Sequence, residues 1–116
     1  AEVLFKKACK GNIERACIGD ALIELGRGNE VTSNKIFNKY CSEKYSQGCI
    51  YVGLKMEKEG KKAEAVKLWS RACDDNHKFG CAFLGEHYLS EGKKDLGKKY
   101  LNQACDLGEV NSCKAL

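Results

Sequence analysis

The sequence predicts an all-α fold, an array of short helical hairpins stapled by one disulfide per repeat. Composition, cysteine spacing and apolar periodicity predict it together. The 116 residues contain no proline and twelve glycines and are rich in Lys, Glu, Leu and Ala, a composition of helices punctuated by glycine turns. The eight cysteines recur with a single period. Apolar residues between them recur at helical spacing. A 43% apolar content is modest for one compact core, so cross-links are expected to supplement it.

Cysteine supplies the ruler. Cys9, Cys41, Cys73 and Cys105 lie 32 residues apart, and Cys17, Cys49, Cys81 and Cys113 keep the same step, so each pair reads C-x7-C with 24 residues to the next pair. Gly28, Gly60 and Gly92 obey the same period, as do Phe5, Phe37, Trp69 and Leu101, and Ala8, Ala72 and Ala104 with Tyr40 as the exception. A unit of this length holds two helices of about 12 to 14 residues with short turns. Helices are expected over 1–9, 13–27, 32–42, 46–59, 62–74, 78–91, 94–106 and 110–116. Residues 1–116 thus read as a single array with a partial unit at each end.

The unit beginning at Cys49 shows both helices. Cys49, Val52, Gly53 and Met56 form one helical face, and Ala65, Leu68, Trp69 and Ala72 form another. Gly60 ends the first helix, because glycine accepts a left-handed terminal residue, and Lys61 and Lys62 suit the negative dipole end. Small Gly53, Ala65 and Ala72 permit close approach, and Trp69 fills the space between. The first full unit is degenerate: Asp20 stands where Val52 and Leu84 stand, and a looser turn is expected at Gly26-Arg27-Gly28-Asn29.

A separation of eight puts two sulfurs at the end of one helix and the start of the next, where antiparallel neighbours meet disulfide geometry. The repeat selects the local pairing Cys9–Cys17, Cys41–Cys49, Cys73–Cys81 and Cys105–Cys113. Zinc thiolates and free buried thiols are the competing readings. Zinc sites favour C-x2-4-C pairs, which are absent, and only His77 and His87 are available besides. Disulfides imply an oxidising compartment, hence a secreted or periplasmic chain; the start at Ala1 rather than Met fits a removed signal peptide or a cut boundary.

The net charge of +4 mixes 20 basic with 16 acidic residues, which speaks for solubility and against a nucleic-acid partner. No apolar run reaches the roughly 18 residues of a membrane span, so no transmembrane segment is expected. No metal or cofactor is expected either. His77 and His87 read as surface histidines, and the lysine pairs at 61–62, 93–94 and 98–99 as a solvated turn face.

Cys81-Ala82-Phe83-Leu84-Gly85-Glu86-His87-Tyr88 resembles the first tetratricopeptide helix, W-x2-L-G-x2-Y, with cysteine in the tryptophan position. Ala65-x3-Trp69-x2-Ala72 resembles the second. Arg71-Ala72-Cys73-Asp74 and Gln103-Ala104-Cys105-Asp106-Leu107, with Gly80-Cys81 eight residues after the first, make the chain similar to Sel1-like repeats and, more narrowly, to the Helicobacter cysteine-rich protein family. The likeness covers essentially the whole chain. The family's repeats are a few residues longer in the turn that is here Glu59-Gly60-Lys61-Lys62.

The resemblance implies a right-handed α/α solenoid of Sel1/TPR-like hairpins. In such arrays the second face of each first helix lines a concave groove, which implies partner contacts at Ile18, Leu22, Gln47, Ile50, Leu54, Lys58, Phe79, Ala82, Glu86 and Ser90. Packing between neighbouring repeats is the alternative role for the same stripe. The expected function is a monomeric, bacterial, extracytoplasmic module that binds a peptide or protein, without catalytic residues. Some family relatives are described as penicillin-binding or β-lactam-hydrolysing, and that is the alternative function. Ser90-Glu91-Gly92-Lys93 is an S-x-x-K, but the companion S-D-N and K-T-G motifs are absent, and the serine falls in a turn at a helix end.

Overall fold

A computed structural model describes Cys9 and residues 13–116. The helix expected over 1–9, with Phe5 and Ala8, lies outside the described residues apart from Cys9. Among the described residues the fold is all-α, with no strand. Its helices are α1 (Glu14–Gly26), α2 (Glu30–Lys39), α3 (Gln47–Lys58), α4 (Lys62–Asp74), α5 (Lys78–Ser90), α6 (Lys94–Asp106) and α7 (Val110–Lys114). The first helices of successive hairpins are α1, α3, α5 and α7; the second helices are α2, α4 and α6. Two compact units divide the chain, Ala1–Val52 and Gly53–Leu116, with the boundary inside α3.

Glycine ends α1, α3 and α5 in the same way. Gly28, Gly60 and Gly92 have φ of 85°, 83° and 78°, a conformation that costs L side chains about 1 kcal/mol or more. The next residue then donates back into the helix: Asn29 N–H to Glu24 O at 2.9 Å, Lys61 to Met56 O at 2.8 Å and Lys93 to Tyr88 O at 2.9 Å. These are Schellman-type caps that satisfy terminal carbonyls. The turn at Gly28 is therefore no looser than the other two, contrary to the sequence expectation.

In the first unit α1 packs on α2. The core is Cys17, Ile18, Ala21, Phe37 and Tyr40, with Ile36, Tyr45, Tyr51 and Val52 against it, and the Phe37 and Tyr51 rings stack at 4.6 Å. In the second unit α4 packs on α5, α5 on α6 and α6 on α7. Ala65, Trp69, Cys73, Cys81, Ala82, Leu84 and Ala104 form its core, flanked by Leu54, Met56, Phe83, Tyr88 and Tyr100. The α5–α6 hairpin closes tightly at Gly85 and Gly97, where a Cβ on either would sit 3.0–3.1 Å from the other's carbonyl oxygen.

All eight cysteines are cross-linked, Cys9–Cys17, Cys41–Cys49, Cys73–Cys81 and Cys105–Cys113, with Cα atoms 4.4, 4.6, 4.5 and 4.8 Å apart. Cys73–Cys81 and Cys105–Cys113 each join the end of a second helix to the first helix that follows it. Four such bridges belong to an oxidising, extracytoplasmic setting. No helix among the described residues is long and apolar enough to cross a membrane.

One turn departs from the repeat. The helix expected over 32–42 ends at Lys39. In the second unit Asn76 and Gly108 take positive φ between the paired cysteines, at 64° and 102°, and the matching residue is Lys44, a type that disfavours that conformation. Tyr40 also replaces alanine; it is 1% exposed, and its hydroxyl donates to Cys17 Sγ at 3.2 Å. The chain therefore leaves the helix at Tyr40, Ser42 N–H donates to Tyr45 O at 2.8 Å, and α3 starts at Gln47.

Candidate functional site

The ten groove positions separate by burial. Ile18 and Ile50 are 2% exposed and Ala82 6%. They belong to the interior, so these three do not offer surface to a partner; the stripe they share turns inward because it is the apolar seam on which the helices close. Leu54 is half-buried against the Trp69 cluster. Gln47 is half-buried, and its backbone N–H donates to Glu14 Oε1 at 2.8 Å. Lys58, Glu86 and Ser90 are exposed. Two large apolar side chains also stay in water, Leu22 at 40% exposure on α1 and Phe79 at 41% on α5.

The start of α1 meets that of α3, and charge links the start of α5 to that of α7. Glu14, the first residue of α1, caps α3 through Gln47. At the corresponding position of α5, Lys78 acts electrostatically on Glu109, the residue ahead of α7. Glu109 caps α7, accepting from Ser112 N–H and Ser112 Oγ at 2.7 Å each and from Asn111 N–H at 3.3 Å. Those bonds, the Ser112 hydroxyl foremost, hold its carboxyl below the usual glutamate range, with Lys78 adding to the effect.

Glu86 behaves oppositely. Although much of its surface is in water, partial burial of the carboxyl raises its pKa, and the neighbouring carboxylates Glu109 and Glu57 raise it further. Glu86 of α5 thus feels the charge of Glu57 of α3 and of Glu109, the residue ahead of α7. Sequence reasoning picked out Glu86 alone. Glu57 and Glu109 differ in repeat position from Glu86 and from each other, so the 32-residue ruler carries no sign of this effect.

The depressed Glu109 pKa gives a pH dependence of known sign. A group whose carboxylate is favoured by folding adds stability above its unfolded pKa, and the gain is lost as pH falls through the lower, folded value. On acidification the Ser112 amide resonance is expected to shift and α7 to fray below the ordinary glutamate range. Glu109→Gln should show the frayed α7 at neutral pH. A Ser112 amide that ignores acid would remove Glu109 from this role.

The remaining candidate chemistry sits apart from this face. Ser90 Oγ donates to His87 O at 2.6 Å, and the Lys93 ammonium lies over the Tyr88 ring, 5.8 Å from its centre, so neither half of the S-x-x-K is turned to the other. The His87 side chain is only 8% exposed, with Nε2 2.7 Å from Glu91, and is a buried rather than a surface histidine. His77 is the N-cap of α5. Among the described residues no three His, Cys, Asp or Glu side chains are grouped so as to hold a metal ion. Compared with known proteins, the chain matches no family model and no curated sequence.

Proposed function

We propose that the chain is an extracytoplasmic protein-binding module of Sel1-like type, whose stapled hairpins present the exposed side of their first helices to a peptide or protein. The observation that carries this reading is the pair Leu22 and Phe79, each about two-fifths exposed on a first helix while the core positions around them are closed. Large side chains buried on association supply most of the energy of protein recognition. Lys58, Glu86 and Ser90 are exposed polar residues on or at the first helices of the second unit. In this reading the protein is monomeric and bacterial, secreted or periplasmic. Host contact, envelope assembly and neutralisation of a toxin are roles of the kind such a surface serves, and catalysis is not among them.

The test is affinity capture from the native envelope fraction or host extract, followed by titration of the captured partner. Leu22→Asp or Phe79→Asp is expected to weaken binding by about tenfold or more, with melting temperature changed by what ~0.5 kcal/mol produces at an exposed site. A partner that binds both variants as tightly as the wild type would move the interface off the first helices.

A further inference from the structure

The Cys9–Cys17 bridge has a hydrogen-bond donor on its buried sulfur. Cys17 is 0% exposed, Cys9 is partly exposed, and the Tyr40 hydroxyl sits 3.2 Å from Cys17 Sγ. A disulfide sulfur carries no hydrogen, so the phenol donates. The phenol is held in place: Tyr40 is buried, the Tyr45 ring packs edge-on against it at 4.9 Å, and its carbonyl accepts from Gly48 N–H at 2.8 Å. The Lys39 ammonium over the ring, 5.4 Å from its centre, draws charge from the phenol and does not compete with its donation. Tyr40 lies 23 residues after Cys17; at the same offset from Cys49 and Cys81 stand Ala72 and Ala104, whose methyl groups bring no donor. The Cys9 carbonyl oxygen is 3.3 Å from Cys17 Sγ, but the Cys73 carbonyl is likewise 3.7 Å from Cys81 Sγ, so that contact does not set the first bridge apart.

Thiol–disulfide exchange is fastest when the attacked sulfur is reachable and the departing one leaves easily as a thiolate. A thiolate in an apolar core is disfavoured by lost hydration, and a donor aimed at it offsets that loss. We propose that Cys9–Cys17 is a redox-labile bridge that an external dithiol opens at Cys9, with Tyr40 stabilising the departing Cys17 thiolate. The dithiol's first thiolate attacks Cys9 Sγ, a new S–S bond forms, and the electron pair of the Cys9–Cys17 bond goes to Cys17. Its second thiolate then displaces Cys9 and closes the dithiol into a disulfide. The protein is reduced by two electrons, the dithiol is oxidised by two, and its two protons end on Cys9 and Cys17. Helix α1 thereby loses its tie to Cys9, while Cys73–Cys81, with both cysteines buried, stays closed.

Glutathione, a monothiol that at early times stops at the mixed disulfide, tests this on the oxidised chain. Acid quenching, alkylation and peptide mapping follow its attachment to each cysteine. In the wild type, glutathione is expected on Cys9 and not on Cys17, at a rate about tenfold or more above that at Cys73–Cys81. Tyr40→Phe should slow the reaction at Cys9 about tenfold and leave the rate at Cys73–Cys81 unchanged. Tyr51→Phe, which takes another hydroxyl from the same core, should leave both rates as they are. Circular dichroism of the oxidised proteins confirms that the variants are folded. Glutathione on Cys17, equal rates at the two bridges, or an unchanged rate in Tyr40→Phe overturns the proposal. A rate raised by Tyr40→Phe does so too, because exchange would then run through local opening of α1 and not through a stabilised thiolate. Should Tyr40→Phe fail to fold, the position of glutathione in the wild type and the ratio of the two rates still decide.

Discussion

Reduction of the four disulfides is expected to unfold most of the chain at ambient temperature. Each bridge joins cysteines eight residues apart, and closing a loop that short restricts the unfolded chain by about 2.5 kcal/mol on the chain-entropy account. Four of them amount to ~10 kcal/mol, against a total stability of about 5–15 kcal/mol for an ordinary domain. The helices are short, and their interiors rely on Ala, Gly and Cys at the contacts, so burial alone leaves little in reserve. Thermal melts by circular dichroism, with and without a phosphine reductant and with complete reduction verified by mass, measure the effect. A fully reduced chain that melts within a few degrees of the oxidised one would show that packing, not cross-linking, holds the hairpins.

Trp69→Ala is expected to give the largest effect of any single side-chain truncation, about 3–5 kcal/mol, or on the order of 10–20 °C in melting temperature. Trp69 is 2% exposed, and its ring lies 5.6 Å from Phe83 and directly over Gly53, where a Cβ would come within 2.6 Å of Nε1. The tryptophan is thus fitted against α3 and α5 at once. Phe37 and Leu101, at the same repeat position, fill less volume. Removing the indole leaves a cavity that a glycine on one side cannot refill. A loss below about 1 kcal/mol, measured by urea denaturation with the disulfides intact, would mean that the hairpin collapses around the gap.

The features legible in the sequence are those that depend on local geometry. Gly28, Gly60 and Gly92 announce the ends of first helices because only the left-handed conformation is at issue there, and the cysteine spacing determines the bridges because both partners sit on one short turn. What depends on distant neighbours was hidden. The periodicity of Ile18, Ile50 and Ala82 marks an apolar stripe, but whether water or another helix covers it is a matter of how helices 32 residues apart are laid together. The same holds for Glu14, which caps a helix that begins 33 residues later, and for the charges of Glu57 and Glu109 that act on Glu86. The early end of α2 was half visible: Tyr40 stood out as an exception, and Lys44 in place of Asn76 and Gly108 was the second sign.

The spacing of the cysteines also bears on how the chain finds its cross-links. Before folding, a thiol meets another with a probability that falls with the length of chain between them, by roughly the 3/2 power. Native partners are eight residues apart and the nearest wrong partner is 24 away, as between Cys17 and Cys41. That threefold difference makes the native encounter about five times more frequent than its closest rival, from chain statistics alone. As the chain emerges from one end, each cysteine also meets its native partner before the next pair has appeared. Correct oxidation is thus favoured by the order and spacing of the residues before any helix has formed.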